Sequence, residues 1–227
     1  MDKSLTKEIL LITIPLSLLF AVYGMDFIGF YTSSPGEYSR SLSNVFWGFA
    51  LTTIGLFVFP FLVNHFRWKK PQDYFGTTLG NRKAGLFFTL AYLPAVIILY
   101  INAKDPSMIN TYPLSKDVLS SWSFFILYEL LYIVFYYIPY EYFFRGVLQL
   151  GLSRSWGRWG SIAFVTVLTT ALHATKPLPE IAGAAFAGLL LGYIADRTQS
   201  WFYPFIIHIV TGVSTDIFCS LFYLGVL

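Results

Sequence analysis

The sequence is short of charge, cysteine and histidine, and each shortage excludes something. Charged residues make up 12% of its 227 residues, about half the share of an ordinary globular domain, which excludes water as the chain's main solvent. The one cysteine, Cys219, excludes an intramolecular disulfide and a cysteine metal cluster, leaves the redox compartment open, and reads as a small apolar residue. The net charge is only +3, and no basic run is interleaved with aromatics, so nucleic acid is not a partner. No repeat of 20–50 residues, no low-complexity tract and no linker divides the chain, so residues 1–227 are expected to form one integral membrane domain.

What is abundant is apolar. Hydrophobic residues make up 56% and aromatics 20% of the chain, with a mean hydropathy of +0.62. Apolar windows fall at about 9–31, 45–64, 84–101, 119–151, 159–175, 181–195 and 202–224, most of them long enough to cross ~30 Å of hydrocarbon. The expected fold is therefore all-α, a polytopic bundle of about seven transmembrane helices whose first partner is the lipid bilayer. The fourth window is too long for one perpendicular crossing, so it tilts, protrudes or breaks near Pro139. The first window exceeds a signal-peptide core and lacks a small-residue cleavage site, so it reads as a retained span. Lys3 and Lys7, then Arg67, Lys69, Lys70, Arg82 and Lys83, flank the first two helices. Arg154, Arg158 and Arg197 fall on the same side when the chain alternates. That asymmetry puts the N-terminus in the cytoplasm, and a chain without a targeting peptide fits a prokaryotic plasma membrane.

Ionisable groups inside spans cost ~2.5–3.5 kcal/mol each on insertion scales, so each is a candidate site. Helix four holds Glu129, Glu141 and Arg145. His173 ends helix five, Lys176 and Glu180 follow it, and helix seven holds His208 and Asp216. The third histidine, His65, sits at a basic boundary and reads as solvated. Gly157, in the short segment 153–158, turns helices four and five into antiparallel neighbours. Glu141 lies 16 residues before Gly157 and His173 lies 16 after it, so a carboxylate and an imidazole come to the same depth. Arg145, four residues after Glu141, can neutralise it on one face. Read blandly, these are a structural ion pair and two packing histidines. Their coincidence in one half of the chain favours a shared polar site. A Glu beside a His in a low-dielectric cavity can act as general base, and a second His can donate to an oxyanion. Glu141, His173 and His208 are also, in composition, a zinc-binding set. Cofactor use thus stays open between zinc and none.

Three strings carry a resemblance: YEYFFRG from Tyr140 to Gly146, ALHATKP around His173, and GLLLGYIADRTQSWFYPFIIH from Gly188 to His208. They resemble the CPBP family of intramembrane proteases, named for CAAX proteases and bacteriocin-processing enzymes. The likeness covers about 120–225, so that 119–225 reads as a protease-like core and 1–118 as three helices the family does not specify. It implies proteolysis of a membrane-associated peptide or protein, with family motifs EExxxR, FxxxH and HxxxN or HxxxD. This chain departs from each: the first Glu, usually assigned to activate water, falls at Tyr140, the Phe at Thr169, and the Asn or Asp at Gly212. Two readings follow. In one, Glu141 takes over as base, with Arg145 as its electrostatic partner, His173 and His208 in water or oxyanion contacts, and Glu180 and Tyr140 as auxiliary or substrate-binding residues. In the other, the chain is a catalytically silent scaffold that binds a cell-envelope partner. Glu180 also has a plain role at a helix start. A proton-coupled carrier with Glu129 and Asp216 as relay residues is a third reading from a different class. The substrate and the oligomeric state are left open.

Overall fold

A computed structural model of the chain describes residues 3–27 and 40–227, and every regular element in them is helical. Six continuous helices are long and apolar enough to cross a membrane: Lys3–Met25 (α1), Leu42–Trp68 (α2), Arg82–Asn102 (α3), Trp122–Leu172, Leu178–Thr198 and Phe202–Tyr223. The far end of the first apolar window, towards Tyr31, lies outside the described residues.

The 51-residue fourth helix contains one residue with non-helical torsions, Gly157, at φ 71° and ψ 171°. Only glycine enters that region without strain. Glu141 and His173 line the same cavity, although 32 residues of straight helix would separate them by about 48 Å. The chain therefore folds back at Gly157. Its two arms, 122–156 (α4) and 158–172 (α5), are counted separately here, which gives the expected seven helices, with Leu178–Thr198 as α6 and Phe202–Tyr223 as α7.

Pro139 does not break α4. The turns on either side of it widen to π geometry, over Ile133–Tyr137 and Tyr142–Leu150. Proline lacks an amide hydrogen and its ring crowds the preceding carbonyl, and a widened turn relieves both. The same device recurs at Ile54–Val58 ahead of Pro60.

Every residue from Pro139 to Leu152 is buried, so this stretch is the axis of the bundle, apolar and packed on all sides. Helices α1 and α2 approach closely through glycine. A Cβ on Gly24 would meet Thr52 Oγ1 at 2.6 Å, and one on Gly55 would meet Ser17 O at 2.7 Å, as in membrane packing that relies on small residues. Thr53 Oγ1 joins α2 to α4 by donating to Phe135 O at 2.6 Å. The α2–α3 loop closes one end of the bundle against the turn between α6 and α7. Asn81 N donates to Thr198 O at 2.8 Å, and Ser200 Oγ donates to Thr78 O. Helix α3 is peripheral: Leu86, Phe87, Leu90, Ile97 and Ile101 are exposed, as a face turned to lipid requires.

Candidate functional site

Helices α3, α4, α5, α6 and α7 enclose a cavity of about 250 Å³. Its walls are mostly apolar and aromatic, and the ionisable groups that reach it, tyrosines apart, are Glu141, Arg145, His173, Glu180 and His208. Such a pocket, apolar with a few convergent polar groups, is the usual form of a binding or catalytic site.

Glu141 is fully buried, one turn before Arg145 on α4. Its Oε2 lies 3.4 Å from Arg145 Nε, and its Oε1 lies 2.7 Å from His208 Nδ1. A carboxylate beside the Arg145 guanidinium can only accept, so His208 donates through Nδ1 and the ring's Nε2 is left for other work. Tyr137 and Tyr140 hold the His208 ring between them, at centroid distances of 4.8 and 5.2 Å. Tyr140, at the place of the motif's first Glu, thus packs an imidazole and supplies no carboxylate.

His173 caps the end of α5. Its Nδ1 donates to Thr169 O at 2.8 Å, because a carbonyl can only accept. Its Nε2 faces Glu180 Oε1 at 3.8 Å, beyond direct hydrogen bonding but close enough for both to hold one small molecule between them. Burial lowers the proton affinity of His173 below the ordinary histidine value, which favours the neutral ring. Glu180, in the first turn of α6, accepts from Tyr112 Oη at 2.7 Å. Burial, with the Glu180 carboxylate beside it, holds the Tyr112 phenol well above its usual range and so protonated.

The expected residues are therefore brought to one cavity but sorted into two pairs. Glu141 meets His208, and His173 meets Glu180. Glu141 and His173 reach the same cavity, as their equal distance from Gly157 anticipated, but Glu141 is engaged from another helix. Among the described residues no three of His, Cys, Asp and Glu gather as a metal-holding group. Glu141, His173 and His208 do not fit a zinc site as arranged, with one oxygen of Glu141 bound by His208 and the other turned to Arg145. Glu129 on α4 and Asp216 on α7 are both buried, and neither lines the cavity. His65 is exposed and stacks on Phe61.

Sequence reasoning missed Tyr112 and Tyr137. Tyr112 lies in an irregular segment whose approach to Glu180 has no sequence signature. Tyr137 could have been found, because Tyr137, Glu141 and Arg145 recur every four residues on one helical face.

No curated protein and no solved structure matches the chain. Residues 121–214, from the start of α4 to just past the His208 turn of α7, match the family described as type II CAAX prenyl endopeptidase Rce1-like, a match consistent with the resemblance of the same segment's motifs to the CPBP membrane proteases.

Proposed function

We propose that the chain is an intramembrane endopeptidase in which the two Glu–His pairs divide the work on a peptide bond. The reading rests on one observation: two imidazoles reach one cavity, each with Nδ1 committed to a fixed acceptor and each with a carboxylate beside it. His173 and Glu180 hold the water. As its oxygen attacks the carbonyl carbon, its proton passes to His173 Nε2, with Glu180 balancing the charge. His208, protonated on both nitrogens with Nδ1 given to Glu141, donates from Nε2 to the carbonyl oxygen as it becomes an oxyanion. The C–N bond then breaks, the proton held by His173 passes to the departing amine, and the acyl half leaves as a carboxylic acid. Arg145 fixes the Glu141 carboxylate.

The carboxylate that works on water thus comes from the start of α6, in place of the one lost at Tyr140. Aliphatic and tyrosine walls suit a peptide held at the membrane by an apolar anchor, and a prenylated CAAX end is the first candidate because the matched family is named for it. We further propose one integral membrane domain with its basic end in the cytoplasm of a prokaryotic cell. Arg158 paired with Asp196 and Arg154 over Tyr74 lie at that end.

The test uses purified protein in proteoliposomes with quenched fluorescent peptides, some farnesylated at a CAAX end and some carrying a transmembrane anchor. Parental cleavage that drops about 10²-fold or more in both His173→Ala and His208→Ala supports the assignment. Cleavage retained in both variants would sink it.

A further inference from the structure

We propose that the hydroxyl of Tyr137 is a second hydrogen-bond donor to the oxyanion, and that position 212 is glycine because this phenol occupies the space a side chain there would need. The inference rests on the endopeptidase reading above.

Gly212 lies one turn beyond His208 on α7, on the wall that faces the cavity. A Cβ built on it would stand 2.6 Å from Tyr137 Cζ and closer still to the hydroxyl, so no side chain fits while Tyr137 keeps its place. The phenol enters from the opposite side of the contact, from α4. Its ring lies 4.8 Å from the His208 ring and stacks on Tyr132 at 4.6 Å with the planes 16° apart. Tyr137 is 4% exposed, and what remains open belongs to the cavity lining. Packed on both faces, the ring has little freedom to turn away.

The ring stacks on Tyr132, and a phenol hydroxyl carries a hydrogen that it can give. That proton is available beside His208, where the negative oxygen of a tetrahedral intermediate would develop. Two donors, one imidazole and one phenol, would then flank the oxyanion. The HxxxN or HxxxD pattern carries a polar side chain four residues after its histidine. Here a polar group stands at that spot too, but it reaches it from a different helix.

The experiment repeats the proteoliposome assay with the same peptides and adds thermal unfolding in detergent. Tyr137→Phe removes only the hydroxyl and should lower kcat about 10²-fold, with KM within about twofold of the parent and the melting temperature unchanged. Gly212→Asn alone should lose both stability and turnover. Gly212→Asn combined with Tyr137→Ala should regain at least about tenfold over Tyr137→Ala alone, since space and a donor are both restored. Turnover of Tyr137→Phe equal to the parent overturns the assignment and leaves the endopeptidase reading standing. A Gly212→Asn variant as stable as the parent overturns the steric replacement. A parent that cleaves no peptide in the panel overturns both readings together.

Discussion

Glu141 and Glu180 are both carboxylates paired with a histidine, but their surroundings assign them different work. Glu141 has no exposed surface and holds the guanidinium of Arg145, itself 2% exposed. Glu141→Gln leaves that cation buried without its counter-charge, which should cost about 3–5 kcal/mol, seen as a large drop in melting temperature in detergent. Glu180 stands at the cavity, and Gln in its place can still accept from Tyr112. Glu180→Gln should therefore keep the parental melting temperature while turnover falls about 10²-fold or more. Equal loss of stability in the two variants would contradict this division. The pH profile belongs to the same scale. Burial lowers the proton affinity of His173, and in the proposed reaction its neutral form takes the water's proton. Cleavage should therefore rise with pH along an acid limb centred below about 6.5, the ordinary histidine value. An acid limb centred well above that value would exclude His173 as base.

Among the elements, the reversal at Gly157 matters most, because it converts one apolar run of 51 residues into two helices that bring His173 back to the depth of Glu141. Open space surrounds Gly157, with nothing within 4 Å of a built Cβ, so a side chain there meets backbone strain and no clash. Gly157→Ala should destabilise by about 1–3 kcal/mol through the torsions alone, measured by thermal unfolding, and Gly157→Asn should lose about as much, because φ 71° with ψ 171° lies outside the left-handed helical region that asparagine tolerates. The widened turns beside Pro139 show a second element-scale effect. They keep the buried axis of the bundle continuous where proline would otherwise end it, and so keep Tyr137 and Glu141 on one helix.

At the scale of the whole molecule, the bundle is inside out by the standards of water. Its polar groups line a central cavity, and its outer surface carries Leu86, Phe87, Leu90, Ile97 and Ile101 on α3 alone. Cys219 is buried, so single cysteines introduced on that face can be labelled against a quiet background. Spin labels at Phe87, Ile97 and Ile101 in reconstituted protein should report high oxygen and low water-soluble relaxant accessibility, as groups in hydrocarbon do. Strong accessibility to the aqueous relaxant along α3 would contradict a lipid-facing position for this helix.

By itself the sequence determined the solvent, the number of spans and the residues worth watching. Hydrophobic length is a local property matched to bilayer thickness, and an ionisable side chain in such a run declares itself by its cost. It also carried the reversal at Gly157 and the ion pair of Glu141 with Arg145, because both depend on spacing within one hairpin or one helix. The tertiary structure alone decided the pairing. That His208 reaches Glu141 while His173 turns to Glu180, that Tyr112 anchors Glu180, and that Tyr137 fills the space over Gly212 all depend on how α6 and α7 rotate and shift against α4 and α5. Those angles are set by side-chain packing across helices distant in sequence, and no periodicity within a single segment records them.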